Sequence, residues 1–308
     1  MNKICMLIPY FGKFPKWFDL YLYSCSHVKE IDFYYFTDCE IPQKIYPNTK
    51  FIKMSFKDYC DLVSQKLQIN FHPKSAYLLC NIRPFMSIIH NDIVKNYKFW
   101  GYSDVDLIYG DMSYLINDTN LKKYDLITTH SDRVAGHFTI IKVGSKYDHI
   151  GLKIKNWRTV VCSNHAGVDE KEFSHVIYPL FIFLNILWKY VFSHFMSKNR
   201  MRNFYQKAHN VFKTKALFNE SYTTPIPQKN EKWIYDLKSN KILAPAKFYS
   251  KSFLNKKPLP YLHFLFFKKT PYLKTEDYWR DNFYQIPKNF NFNTSKQIEI
   301  TRSYIKIK

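Results

Sequence analysis

Asp104-Val105-Asp106 is the stretch of this sequence best suited to chemistry. It follows an aromatic, strand-like run, Phe99, Trp100 and Tyr102, and leads through Leu107-Ile108-Tyr109 into a Gly110-Asp111 turn. Residues two apart in a strand share a face, so both carboxylates can point to one side at a strand's end. Carboxylates that close repel, and burying them is costly unless a cation lies between them. A hard divalent ion, Mg2+ or Mn2+, suits that place and keeps positions open for substrate phosphates. An Asp-x-Asp triplet is more often a pair of solvated loop acids. Position favours the metal reading, because open α/β sheets gather ligands at the carboxyl ends of their strands.

Four other groups carry candidate chemistry. Arg83 reads either as a surface cation or as a diphosphate or ribose contact. In the loop His130–His137, Gly136 permits close approach while Arg133 and His137 offer donors, so it reads as a ligand-facing wall or as a plain hairpin connection. Asp169 and Glu170 follow Gly167 and read as a loop with an available base, or as the first turn of a helix, where acids are favourable. His263 sits inside the short apolar run Pro258–Phe264. Such a residue is usually a packed core histidine, but a chain returning to the sheet would make it a third ligand, and imidazole coordinates Mn2+.

These residues need a scaffold. Ile4–Ile8, Ile31–Phe36 and Phe51–Met54 read as strands. Trp17, Phe18, Tyr21, Leu22 and Cys25 recur at helical spacing, as do Phe56, Tyr59, Cys60, Val63 and Leu67. A helix from about Pro84 to Tyr97 buries Phe85, Ile88, Ile89, Ile93 and Val94 and delivers the chain to Phe99. Asp125–Thr129 and His137–Val143 read as further strands, Tyr222–Lys241 as an irregular connection, and the segment after Lys268 as a poorly periodic tail. Alternating strands and helices predict an α/β fold with a mostly parallel sheet flanked by helices.

Composition bounds the rest. The 308 residues include 25 Tyr, 27 Phe and 6 Trp, enough to build a real core. Six scattered cysteines without CxxC spacing suggest neither a zinc ribbon nor a disulfide framework, and fit a reducing cytosol. The N-terminal apolar run is too short for a secretory signal and reads as a first strand. Residues 1–170 carry 21 basic and 17 acidic residues, whereas residues 171–308 carry 25 and 8. All 7 glycines lie at or before Gly167. The second part is therefore built to meet something acidic. Its most apolar stretch, Val176–Phe195, is followed by Lys198, Arg200, Arg202, Lys207, Lys213 and Lys215. That pattern reads as a monotopic membrane contact or as a buried helix with a solvated flank.

The ordered set PYFGKFPKWFDLYLYSC, IDFYYFTD, Cys80-Asn81-Ile82-Arg83-Pro84, FWGYSDVDLIYGD and YLHF resembles an uncharacterised bacterial family of GT-A-type glycosyltransferases found among surface-polysaccharide enzymes. It is more distantly similar to the glycosyltransferases with a sugar-binding DXD motif. The resemblance covers roughly residues 3–170 and the surroundings of His263. It implies a GT-A-like (Rossmann-type) core, a nucleotide-diphosphate-sugar donor and Mn2+ or Mg2+. By position it makes Asp104 and Asp106 the DXD acids, flanking Val105, and His263 the C-terminal metal ligand. Tyr10, Phe11 and Gly12 fall near the nucleoside, Thr37 and Asp38 near base or ribose, and Arg83 near the donor. Asp169 and Glu170 match an acidic pair for acceptor binding or base catalysis. The family pattern leads one to expect an acid where Asn81 stands.

The resulting expectation is a hexosyltransferase of lipopolysaccharide or capsule synthesis. It moves a sugar, from a UDP-sugar by preference, to a lipid-linked or surface glycan. It would be cytoplasmic and peripheral on the inner face of the cell membrane, meeting an anionic surface and no nucleic acid. Residues 1–170 would form the nucleotide-sugar core, 171–255 a helical, basic acceptor or membrane-contact region, and 256–308 the return to the core and a tail. A rival from another class is a non-enzymatic basic protein holding nucleic acid or anionic lipid. A metal-dependent nucleotidyltransferase or hydrolase would use paired aspartates too.

Overall fold

Ile4–Pro9 forms β1, and its alternation explains the architecture. Ile4, Met6 and Ile8 enter one core, while Cys5 and Leu7 enter another on the opposite face. A strand buried on both faces must be covered on both sides. The structure is a computed structural model describing residues 3–131, 133–164, 167–179, 183, 197–216, 222–250, 258–268 and 279–308.

Helix α1 (Phe18–Ser26) covers the first face and α2 (Phe56–Leu67) the second. A reciprocal capping box starts α2: the Ser55 hydroxyl accepts from the Asp58 amide, and the Asp58 carboxylate accepts from the Ser55 amide. Further strands are β2 (Ile31–Thr37), β3 (Thr49–Lys53), β4 (Phe99–Ser103), β5 (Leu107–Tyr109), β6 (Leu126–Thr128), β7 (Phe138–Lys142) and β8 (Thr214–Lys215). The central sheet has seven strands in the order β3-β2-β1-β4-β7-β6-β8. The run β3-β2-β1-β4 is parallel, and β7 alone is reversed. The expected α/β, Rossmann-type arrangement is what the chain adopts.

Two sequence readings are corrected. The helix expected to run to Tyr97 is a 3-10 helix, Ala76–Phe85, followed by single turns Met86–Ile89 and Asn91–Val94. The break falls at His90, which hydrogen-bonds the Tyr59 hydroxyl at 3.0 Å and stacks on Phe36. Tertiary contacts override the helical period there. The segments read as a connection and a tail supply β9 (Trp233–Asp236), β10 (Lys241–Leu243), β12 (Gln297–Ile300) and β13 (Ile305–Ile307) of a four-stranded antiparallel sheet. These strands are too short to show a period. Between them β11 (Tyr261–His263) returns to pair antiparallel with β5, setting His263 opposite Leu107.

Most of the stretch 180–196 lies outside the described residues. Among the described residues no helix is long and apolar enough to cross a membrane.

Gly101 sets the spacing at the centre of the sheet. A Cβ there would meet the Thr139 carbonyl oxygen of β7 at 2.5 Å. We expect Gly101→Ala to lower unfolding free energy by about 1–3 kcal/mol, the usual cost of overpacking. Urea denaturation checks this, and an unchanged midpoint would contradict it.

Candidate functional site

The chain leaves β4 at Ser103, and the Asp104 amide donates to the His137 carbonyl at 3.1 Å. Val105 is buried, and its carbonyl accepts from the Trp17 indole at 3.1 Å. The Asp106 carbonyl accepts from the Phe264 amide at 2.8 Å. Both ends of the triplet are thus fixed, and the two carboxylates turn toward His263.

The His263 Nε2 lies 4.0 Å from Asp104 Oδ2 and 3.3 Å from Asp106 Oδ1. Each carboxylate gives its other oxygen to a cation: Asp104 Oδ1 to Arg83, and Asp106 Oδ2 to Lys268 at 2.7 Å. The His263 Nδ1 lies 3.2 Å from the Thr224 hydroxyl, and its ring stacks on His137 with centroids 4.2 Å apart. The Thr224 contact fixes the ring so that Nε2 faces the acids; a metal ligand there would carry its proton on Nδ1 and offer the Nε2 lone pair. Burial alone would raise the Asp106 pKa, but Lys268 and His263 outweigh it and hold the carboxyl well below its usual range. One oxygen of each acid and one imidazole nitrogen lie within 4.8 Å of one another. The chemistry of this donor set fits a divalent cation such as Mn2+ or Mg2+.

Arg83 ties this group to the second acidic pair. Its guanidinium donates to Asp169 Oδ2 at 2.7 Å, to the Gly136 carbonyl at 2.8 Å and to Asp104. Asp169 and Glu170 occupy a π-turn, Val168–Glu172, leading into the helix Phe173–Ile177, so the helical alternative for these acids holds. The Glu170 Oε1 accepts from the Gly136 amide at 3.1 Å. A Cβ on Gly136 would meet Asp169 Oδ2 at 2.7 Å, which is why the backbone can approach this closely. Burial pushes the Asp169 pKa from 3.8 up to about 6; Arg83 opposes this and Glu170 adds to it. Asn81, where an acid was expected, is buried and its side-chain oxygen accepts from the Val168 amide at 3.4 Å. It steadies the turn that carries Asp169.

The remaining expected residues fall at the same edge of the sheet. Tyr10, Phe11 and Gly12 follow β1, next to β4, while Thr37 and Asp38 end β2, one strand further out. The Gly12 amide donates to Asp38 at 2.7 Å, and a φ of +102° suits glycine there. The Thr37 hydroxyl accepts from the Cys39 amide. Tyr10 stacks on Phe14, and Phe11 packs on Phe56 and Tyr59. Arg133 is half-buried, and its charge helps lower the pKa of His130 behind the effect of burial. His137 is buried, held neutral by desolvation, and bonded through Nε2 to the Tyr261 hydroxyl at 2.8 Å. It backs His263 from inside.

Sequence reasoning missed Lys268, Thr224 and Tyr261. Lys268 ends the apolar run that begins at Tyr261, and a charge closing such a run was a usable signal. Tyr261 opens the YLHF stretch without revealing its own role, and Thr224 carries no local signature.

Fold and site together define an α/β protein with an acid–imidazole centre at the carboxyl edge of its sheet. The chain belongs to a family of unknown function, DUF6625, whose model matches residues 6–294. Comparison with curated proteins finds no match. Among solved structures, the chain is similar to a glycosyltransferase involved in glycosylation of the major capsid of PBCV-1, at 11% identity and a TM-score of 0.32, covering 85% of this chain and 92% of that one. It is similar to an active-site mutant of LgtC at 11% identity and a TM-score of 0.35, covering 84% and 86%. A third similar structure is the glycosyltransferase GlyE of Streptococcus pneumoniae TIGR4, at 12% identity and a TM-score of 0.35, covering 89% and 56%.

Because its pKa is raised on folding, Asp169 contributes most to stability below about pH 4, and that contribution fades as pH rises through about 6. Asp169→Asn removes this component. From pH 4 to pH 7 the wild type should therefore lose about 2 kcal/mol relative to Asp169→Asn. Urea titrations at several pH values check this; parallel curves for the two proteins would refute it.

Proposed function

We propose that the protein is a divalent-metal-dependent glycosyltransferase. It moves a sugar from a nucleotide-diphosphate-sugar, a UDP-sugar by preference, to a lipid-linked or surface glycan acceptor of lipopolysaccharide or capsule synthesis. One observation carries the reading: Asp104 Oδ2, Asp106 Oδ1 and His263 Nε2 converge at the carboxyl edge of the sheet. The sequence resemblance supports it. The likeness to solved glycosyltransferases is too distant to add weight.

In this reading Asp104, Asp106 and His263 hold Mn2+ or Mg2+. In that place the ion would supply positive charge that offsets the charge of a diphosphate leaving group. Thr224 and His137 orient the imidazole. Lys268, 2.7 Å from Asp106, offers a second positive charge to the departing phosphate. Arg83 holds Asp104 in place and sets the Asp169 turn beside it. Tyr10, Phe11, Gly12, Thr37 and Asp38 line the edge where a nucleoside would lie, with Arg133 toward the sugar; His137, buried behind His263, acts on the donor through that imidazole. If transfer inverts the anomeric centre, a base must take the acceptor proton. Glu170 is the more accessible of the acidic pair, and Asp169, whose pKa is raised to about 6 by burial, lies next to it. A retaining transfer needs no such base.

UDP together with Mn2+ should raise the melting temperature more than either alone. Asp104→Asn, Asp106→Asn and His263→Ala should each abolish that joint shift. Sugar transfer that persists in excess chelator would sink the metal role. Thr224→Val should weaken Mn2+ binding by about 10-fold or more, as loss of a ligand-orienting partner does. Calorimetric titration with Mn2+ reads that change; an unaltered affinity would show that Thr224 does not orient the ligand.

A further inference from the structure

The helix Lys198–Val211 has an orientation set by its buried side. His209 is buried, with Nδ1 against the Thr214 hydroxyl at 2.5 Å and Nε2 against the Ser131 carbonyl at 2.8 Å. Its ring also packs on Tyr178, while Ala208 and Phe212 lie against the same core. At 100° per residue, positions 200, 204, 207 and 211 fall within one narrow stripe opposite His209. The burial pattern agrees: Arg200 and Lys207 are exposed, Phe204 is 42% exposed and Val211 is 77% exposed. A large aromatic and a branched aliphatic thus alternate with two cations on the outward face. The segment 197–216 contains six lysines and arginines and no acid.

We propose that the stripe Arg200, Phe204, Lys207 and Val211 docks the protein on an anionic lipid bilayer surface. Charge complementarity selects this occupant. A helix with an apolar outward contact flanked by cations lies in the headgroup plane, its apolar groups at the acyl boundary and its cations at the phosphates. The surrounding chain adds to the attraction, since residues 171–308 carry 25 basic against 8 acidic residues. A lipid-borne acceptor for the proposed transfer would lie on such a surface, and to that extent the inference deepens that reading. Its test is separate.

The full-length protein is floated with vesicles of phosphatidylcholine containing phosphatidylglycerol, and with vesicles of phosphatidylcholine alone. It should bind the first and leave the second, and high salt should release it. The double variants Arg200→Glu/Lys207→Glu and Phe204→Ser/Val211→Ser should each lower binding by about 10-fold or more. Lys238→Glu/Lys241→Glu makes the same change in net charge on exposed residues elsewhere and should lower binding far less than either stripe variant. If a stripe variant fails to fold, Phe204→Trp in the intact stripe reports instead, through a blue-shifted fluorescence quenched by brominated lipid. The proposal is overturned by any of three results: no binding to anionic vesicles, equal loss in the Lys238/Lys241 control, or salt-sensitive DNA binding through the stripe without vesicle binding. Asp104→Asn should keep vesicle binding, and the stripe variants should keep the UDP and Mn2+ thermal shift. Failure of the transferase reading and failure of this one are therefore distinguishable.

Discussion

Charge balance at the carboxyl edge of the sheet is the constraint on which the site depends. Asp104, Asp106, Asp169 and Glu170 come together there, and among the described residues two side-chain cations meet them, Arg83 and Lys268. Removing carboxylates from water is expensive unless each finds a partner. Arg83 must serve two of them, and Lys268 serves one. Fully ionised, the group carries more negative than positive charge. The raised pKa of Asp169, which places its proton within reach near neutrality, absorbs part of the excess, and the imidazole of His263 faces the free oxygens of the Asp104 and Asp106 pair. A doubly positive ion is the complement of what remains.

The chain builds this centre from distant segments because no local stretch could. Arg83 comes from a 3-10 helix, the triplet from the end of β4, Asp169 from a π-turn, and His263 and Lys268 from a late return of the chain. The pairing of β5 with β11 brings that return into register, so a short two-stranded ladder positions the imidazole. Gly136 lets the backbone before β7 come close to the acidic pair, offering its amide to Glu170 and its carbonyl to Arg83. The reversed strand β7 therefore does more than extend the sheet. Its entry loop clamps both ends of the Arg83 network.

Much of this was legible in the sequence, for physical reasons that differ by element. The strands β1 and β2 and the helix α2 announce themselves through long apolar runs, a clear helical period and, at Ser55, a cap. The Asp104-Val105-Asp106 triplet stands out because it ends an aromatic strand, and His263 because it interrupts an apolar one. The strands β9, β10, β12 and β13 were hidden because three or four residues give too few alternations to count. The break at His90 was hidden because it arises from a hydrogen bond to Tyr59, 31 residues away in the chain. Thr224 acts through a partner that becomes a neighbour only when the fold closes, so its type alone carried no message.

The two parts of the chain divide their charge between different tasks, and Lys268 shows how. It belongs by sequence to the basic part, yet its ammonium is enclosed against Asp106 and over the Trp279 ring at 5.5 Å. Its charge is local and directed inward, where low dielectric makes it strong. Arg200 and Lys207 are exposed, screened by salt, and can act only on a large, multiply charged partner. One cationic composition thus serves two ranges of electrostatics. Enclosed cations set the state of individual carboxylates, whereas the exposed ones make a surface whose effect depends on their number and common direction. The net charge of +21 is therefore no single property of the protein.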